Sequence, residues 1–204
     1  MATAVDGLID TLPAVERADA VPGPSQGEWT YADYAAIPDD GRRYEVVNGV
    51  LYMAPSPVER HQAASMQIGS QFFNHIQAAG LGRVYAAPFD VDLSPGNVVQ
   101  PDVIVVLNDN LQVITAERII GAPNLVIEIA SPSTATDDHD RKRRAYEQAG
   151  VREYWIADPS YAWMVEILAL ENGEYRLLGV FQGQSILSSR VLPGMPFRVA
   201  RLVG

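Results

Sequence analysis

Apolar residues in the segment 58–79 recur at the 3.6-residue spacing of a helix that is buried along one side. The spacing predicts a helix over this segment, ended by Gly80. The segment 137–149 is also predicted to be a helix, because acidic residues at its start suit the positive end of a helix dipole and Gly150 follows it. The core-facing stripe of the first helix is predicted to contain Ala64, Ile68, Phe72, Ile76 and Ala79.

Shorter apolar runs around these helices predict strands. Asn48-Gly49 separates two such runs and is a strong hairpin signal, because both central residues of that turn need a positive φ. The runs at 98–107 and 124–130 are apolar on both faces and are predicted to be central strands. The order of elements predicts an α/β (α+β) domain with a mixed sheet. The predicted strands are 44–53 as a hairpin, 83–93, 98–107, 124–130, 151–157 and further β structure over 162–203.

The first 28 residues differ in composition from the rest of the chain. They are rich in Ala, Pro, Gly and acidic residues, and we expect a flexible arm over 1–28 followed by one domain over 29–204. The domain is expected to begin with a short helix over 31–36, capped by Thr30. The start of the chain has no basic signal-peptide region, and no stretch of about 18 consecutive residues is predominantly apolar. We therefore expect a cytoplasmic protein without a membrane span.

Composition excludes several classes of site. The chain has 204 residues and no cysteine, which excludes a disulfide scaffold, a thiolate zinc site and a cysteine nucleophile. Its formal net charge of −10 disfavours a protein that coats nucleic acid by neutralising many phosphates. Any contact with nucleic acid is therefore expected to be local or assisted by a metal ion.

Three acidic residues, Glu45, Asp102 and Glu128, occupy strand positions that are ordinarily apolar. Asp102 lies near the start of one predicted central strand, and Glu128 lies near the end of the next. If these strands are antiparallel neighbours, their two carboxylates converge on one point. Buried carboxylates need a counter-charge, and a set without thiolates favours a hard cation such as Mg²⁺ or Mn²⁺. The alternative interpretation is that these acids lie at strand edges and pair with arginines.

The second predicted helix carries the basic run Arg-Lys-Arg-Arg. At about 100° per residue, Lys142 lies at the centre of the apolar stripe made by Ala145, Tyr146 and Ala149, and the three arginines point away from it. Lys142 is therefore expected to face the sheet. The alternative is that its side chain lies along the surface beside Asp138.

These residues and the motifs around them resemble the PD-(D/E)xK nuclease superfamily and, more closely, the Uma-two restriction endonuclease family. The superfamily order of helix, three strands, helix and strand matches residues 58–157. The resemblance extends over roughly residues 29–200 and implies a restriction-endonuclease-like mixed β-sheet core with flanking helices and added β-hairpins. The matching stretches are YEVVNG at 44–49, MAPSP at 53–57, PDVIV at 101–105, EIASPST at 128–134, then Asp140, Lys142, Tyr146 and GVREYWIADP at 150–159.

The resemblance implies a role for each site residue. Asp102 and Glu128, with the backbone carbonyl of Ile129, would bind Mg²⁺ or Mn²⁺. Glu45 would complete the acidic cluster or reach a second ion. Lys142 would orient or deprotonate the attacking water, or stabilise charge on the phosphorane.

One position departs from the superfamily pattern. The superfamily's lysine normally lies two residues after the glutamate, where this chain has Ala130. In families that carry the lysine on the following helix, its position matches Lys142. His61 and Tyr146 are candidate accessory residues, although His61 is more simply a buried histidine bonded to a backbone carbonyl. His75 is expected to be structural.

The resulting expectation is a Mg²⁺-dependent endonuclease that hydrolyses phosphodiester bonds of DNA. Cutting both strands of a duplex ordinarily needs two active sites, so a homodimer is expected. The alternative function is a non-catalytic module that binds protein or nucleic acid on the same scaffold. The acidic net charge favours the module, and the presence of four suitable site residues favours the enzyme.

Overall fold

Two six-stranded mixed β-sheets form the framework of the protein, and the predicted α+β class is confirmed. The computed structural model describes residues 15–130, 137–159, 163–195 and 197–202. The strands are β1 (Glu16–Arg17), β2 (Arg43–Val47), β3 (Val50–Ala54), β4 (Gly82–Ala86), β5 (Val91–Ser94), β6 (Asn97–Val99), β7 (Val103–Leu107), β8 (Ile119–Ile120), β9 (Leu125–Ile129), β10 (Glu153–Asp158), β11 (Met164–Glu171) and β12 (Glu174–Gln182). The helices are α1 (Tyr31–Ala35), α2 (Glu59–Phe72), α3 (Asp137–Ala149) and α4 (Val199–Leu202), with a π-helical turn at Phe73–Gln77 and a 3₁₀-helix at Asn108–Val113.

The first sheet has the strand order β1-β3-β2-β6-β5-β8 and contains the predicted hairpin. Asn48 and Gly49 have φ angles of 52° and 73°, which confirms the turn between β2 and β3. Strand β1 pairs with β3, and the N–H of Ala18 donates to the carbonyl of Leu51. Strand β1 is not among the predicted strands, because backbone hydrogen bonds hold it and leave no side-chain pattern. The domain boundary at residue 28 stays a prediction.

The second sheet has the order β12-β11-β10-β9-β7-β4. Strands β7 and β9 are antiparallel, with Val103 opposite Ile127, whereas β9 and β10 are parallel. The antiparallel pairing places the start of β7 beside the end of β9. This is the arrangement that brings Asp102 and Glu128 to the same end of the sheet.

Two of the predicted strands are wrong, because each is split between the two sheets. The run 83–93 forms β4 in the second sheet and β5 in the first, and the run 98–107 forms β6 and β7 in the same way. The second break falls at Pro101, which has no N–H to donate to a strand ladder. Both halves of the run 98–107 are buried, so its apolar pattern does not reveal the crossing. Asp102 lies at this crossing.

Helix α2 follows the predicted stripe over most of its length. Ala64, Ile68, Phe72 and Ile76 are buried. Ala79 is exposed, contrary to prediction, because the α-helix gives way to the π-helical turn after Phe72 and the wider turn changes the facing of later residues. The buried stripe of α2 packs on one face of the second sheet. The opposite face of that sheet packs against the first sheet and α3.

The remaining elements follow the predictions in part. Thr30 caps α1 and accepts a hydrogen bond from the N–H of Asp33, and Gly80 and Gly150 have the positive φ expected where helices end. Strands β11 and β12 form a hairpin through Asn172. The short helix α4 lies in a region predicted to be β structure. In the described part of the chain, no helix is both long enough and apolar enough to cross a membrane.

Candidate active site

The four residues that the sequence predicts for the site, Glu45, Asp102, Glu128 and Lys142, are buried, and each is only 4–7% exposed. Glu45 lies on β2, and its Oε1 accepts a hydrogen bond of 2.7 Å from the backbone N–H of Gln100. Its Oε2 lies 2.9 Å from Nζ of Lys142. Strand β2 is an interior strand of the first sheet, so Glu45 does not lie at a sheet edge.

Glu128 approaches the same ammonium group from the second sheet. Its Oε1 lies 3.3 Å from Nζ of Lys142 and accepts a hydrogen bond of 2.5 Å from the hydroxyl of Tyr146. Strand β9 is also interior, so the strand-edge interpretation is wrong for Glu128 as well. Burial, together with the negative charges of Asp102 and Glu45, raises the pKa of Glu128 to about 8 although Lys142 opposes the shift.

Tyr146 is held as a hydrogen-bond donor by the same surroundings. Its burial and the negative charge of Glu128 raise the pKa of the Tyr146 hydroxyl well above its ordinary value. The hydroxyl therefore keeps its proton over the physiological range and fixes the orientation of the Glu128 carboxylate.

Asp102 completes the acidic group just before β7. Its Oδ2 accepts a hydrogen bond of 2.8 Å from the backbone N–H of Ile129 and lies 3.2 Å from Nε2 of His61. His61 therefore contacts a carboxylate, and the expected bond to a backbone carbonyl is wrong. Burial alone would lower the pKa of His61, but the hydrogen bond to Asp102 and the negative charges of Asp102 and Glu128 outweigh it, so this pKa lies above its ordinary value.

Lys142 faces the sheets, as the helical angles predict. It lies on α3 beside the buried Ala145 and Tyr146, whereas Arg144 is exposed. Its contacts with Glu45 and Glu128 show that it does not lie along the protein surface. Lys142 is the only lysine among the 15 basic residues of the chain, and the other 14 are arginines.

The cluster gathers three carboxyl groups around one ammonium and one imidazole. The carboxylates of Glu45, Asp102 and Glu128 face the single ammonium of Lys142 and the imidazole of His61. Within the described ranges, no three acidic or histidine side chains form a ready-made metal site. The donor set still fits a hard divalent cation by its chemistry, because it offers oxygen atoms from three carboxyl groups and no thiolate.

Gln100, which directly precedes Pro101-Asp102, is a further site residue that the sequence pattern does not predict. Its backbone N–H contacts Glu45, and its side chain contacts a polar group made by Tyr34, Arg43 and Asp90. Position next to a site residue is the only sequence signal for it, since a lone glutamine carries no recognisable pattern.

His75 has the structural role that was predicted. Its Nδ1 lies 2.8 Å from the carbonyl of Gln71, and its ring packs edge-on against Phe197. The segment 131–136, which includes part of the matching EIASPST stretch, lies outside the described residues.

Comparisons with known proteins place the chain in a family. A family model described as "Putative restriction endonuclease" (Uma2) matches residues 31–200. A solved structure, titled as a putative nuclease belonging to DUF820 from Anabaena variabilis, is similar in fold with a TM-score of 0.69. The two sequences are 17% identical, and the likeness covers 86% of this chain and 97% of that chain. No curated protein matches the sequence. Because the family model spans most of the chain, this protein belongs to the Uma2 family.

Proposed function

We propose that this protein is a Mg²⁺-dependent endonuclease that hydrolyses phosphodiester bonds of DNA. The main support for the proposal is that Glu45 and Glu128, from different sheets, both contact the buried ammonium of Lys142. Asp102 lies beside them through its bond to the N–H of Ile129. Burying three carboxylates is costly for stability, and such clusters are typical of catalytic sites.

Asp102 and Glu128, with the backbone carbonyl of Ile129, are the residues that would hold Mg²⁺, and Glu45 would extend the acidic group. When bound, Mg²⁺ supplies positive charge that polarises phosphoryl oxygens and offsets the repulsion between a phosphate and these carboxylates. Mn²⁺ has the same ligand preference and would substitute.

The protein's own groups have separate tasks in this proposal. The ammonium of Lys142 donates hydrogen bonds to the phosphoryl oxygens as negative charge develops on them. Tyr146 orients Glu128 through its 2.5 Å hydrogen bond. His61 orients Asp102 by contacting Oδ2, the same oxygen that accepts a hydrogen bond from the N–H of Ile129. Glu45 holds Lys142 in place before substrate binds.

A second candidate function is a non-catalytic module that binds protein or nucleic acid. The formal net charge of −10 favours it, because an acidic surface weakens attraction to phosphates. The two functions differ in whether the chain cleaves DNA. Assembly as a homodimer and a cytoplasmic location belong to the nuclease proposal and are expected with it.

Nicking of a supercoiled plasmid in the presence of Mg²⁺ tests the proposal. Asp102→Asn, Glu128→Gln and Lys142→Ala should each lower the cleavage rate by about 10²–10³-fold, the effect of removing one transition-state stabiliser. Arg144→Ala, on the exposed side of α3, should change salt dependence at most. Wild-type cleavage rates in the three site variants would sink the proposal. A wild-type protein that binds DNA without cutting it would support the module, and a parallel assay with RNA decides the substrate.

A further inference from the structure

The side chain of Gln100 connects β2, α1 and the loop before β5 to the candidate site. Its Oε1 accepts a hydrogen bond of 3.3 Å from Nε of Arg43 on β2. Its Nε2 donates to Oδ1 of Asp90 at 2.8 Å and to the hydroxyl of Tyr34 on α1 at 3.1 Å. The Tyr34 hydroxyl in turn donates to the same Asp90 oxygen at 2.9 Å.

The backbone of the same residue points the other way, into the cluster. The N–H of Gln100 donates to Oε1 of Glu45 at 2.7 Å, and that oxygen also lies 3.0 Å from Nζ of Lys142. One carboxylate oxygen therefore receives a backbone donor and the ammonium together. The other oxygen, Oε2, lies 2.9 Å from the same ammonium, so the Gln100 peptide contacts the carboxylate that holds Lys142 through both its oxygens.

This peptide has little support from regular secondary structure. Gln100 lies between β6 and β7, where the chain crosses from one sheet to the other, and the next residue is Pro101. No strand ladder fixes a peptide at such a crossing. The side-chain bonds to Arg43, Asp90 and Tyr34 replace that support.

We propose that Gln100 is a positioning residue: its side chain anchors the sheet crossing so that its N–H orients Glu45, and Glu45 in turn holds Lys142. The inference rests on the proposed function for its catalytic meaning, since Lys142 is the group that would act on phosphate. The structural part of the inference is that Gln100 keeps Lys142 in contact with its carboxylates, and this can be measured without any substrate.

Lys142 being the only lysine makes that measurement simple. Acylation by an amine-selective reagent, followed by mass spectrometry of the Lys142 peptide, reports how often this amine is released from its carboxylates. Protein labelled with ¹³C-lysine shows the same amine through a single set of side-chain signals. Neither readout depends on cleavage activity.

Gln100→Ala removes all three side-chain anchors. Gln100→Glu keeps the size and the acceptor for Arg43 but places a carboxylate against Asp90 in place of the amide donor. Both variants should raise the acylation rate of Lys142 by at least about tenfold, because a charge-assisted hydrogen bond is weakened, and should shift its ¹³C signals.

Gln26→Ala is the matched control. Gln26 also bonds a strand backbone, through its Oε1 to the N–H of Leu51 at 2.8 Å, so its loss destabilises the same sheet without reaching Glu45. Lys142 in this variant should react as in the wild type.

Wild-type acylation rates and signals in both Gln100 variants would overturn the inference. If the wild type cleaves DNA, the Gln100 variants should lose kcat with little change in KM. An inactive wild type would contradict the proposed function and leave the lysine result standing.

Discussion

Lys142 lies between two carboxyl groups that come from different sheets, and its positive charge opposes the rise in the pKa of Glu128. The contacts of its Nζ with Glu45 and Glu128 are 2.9 Å and 3.3 Å. The site gathers three carboxyl groups around one ammonium, and burial with the charges of Asp102 and Glu45 raises the pKa of Glu128. The residues are therefore arranged for interaction with a further cation or an external charge, at a cost to stability.

The raised pKa of Glu128 predicts how pH affects the stability of the cation-free protein. The folded state binds the Glu128 proton more tightly than the unfolded chain does, with a pKa of about 8 against an ordinary value of 4.5. This contribution to stability is complete below pH 4.5 and is lost as the pH rises to about 8. The slope from this one group is at most about 1.4 kcal/mol per pH unit.

Urea unfolding at a series of pH values measures this effect. Glu128→Gln has no proton to lose at this position. From pH 5 to pH 8 the wild type should therefore lose stability relative to this variant, as measured by the free energy of unfolding. This pH range lies between the ordinary and the raised pKa of Glu128. A difference that stays constant across that window would show that Glu128 titrates at its ordinary value.

At the scale of elements, the side-chain pattern was sufficient where one element forms from consecutive residues. Lys142 was predicted to face inward because its angle on α3 depends only on neighbours such as Tyr146. The hairpin at Asn48-Gly49 is equally local, because its φ angles are required by the turn itself.

Features that depend on distant parts of the chain could not be predicted. The apolar run 98–107 does not reveal that it is divided between two sheets, because both halves are buried. The bond between Gln100 and Glu45 joins residues 55 positions apart and has no periodic signature. The predicted partner of His61, a backbone carbonyl, is wrong for the same reason. Its actual partner, Asp102, approaches it because of the crossing at Pro101.

Gly49 provides a test of how tightly the β2–β3 hairpin is built. Its φ is +73°, and a Cβ there would lie 2.3 Å from the carbonyl oxygen of Gly27. Gly49→Ala should therefore lower the free energy of unfolding by about 3 kcal/mol, from backbone strain and overpacking together. Urea denaturation measures the loss.

Gly173, in the β11–β12 turn, is the matched control for that substitution. Its φ is +86°, but nothing lies within 4 Å of where a Cβ would be. Gly173→Ala should cost only the backbone strain, about 1–2 kcal/mol. Equal losses in the two variants would mean that the contact between Gly49 and Gly27 does not constrain the hairpin.

At the scale of the whole molecule, the candidate site forms only when the two sheets and α3 come together. Glu45 and Lys142 are 97 positions apart in sequence, yet their side chains are in contact. A ligand that binds this cluster therefore binds the folded state alone and stabilises the entire fold. The acidic net charge of −10 also attracts cations to the surface, so specific and general binding must be separated.

Thermal unfolding with and without Mg²⁺ tests whether the carboxyl groups around Lys142 form a divalent-cation site. With a dissociation constant of about 1 mM, 10 mM Mg²⁺ stabilises the folded state by roughly 1.4 kcal/mol, which is about 3–6 °C in Tm for a chain of this size. Asp102→Asn should keep or gain stability without Mg²⁺ and lose most of the shift, whereas Glu174→Gln, at an exposed carboxylate elsewhere, should retain it. Equal shifts in the wild type and Asp102→Asn would place the ion on the general acidic surface and contradict the account.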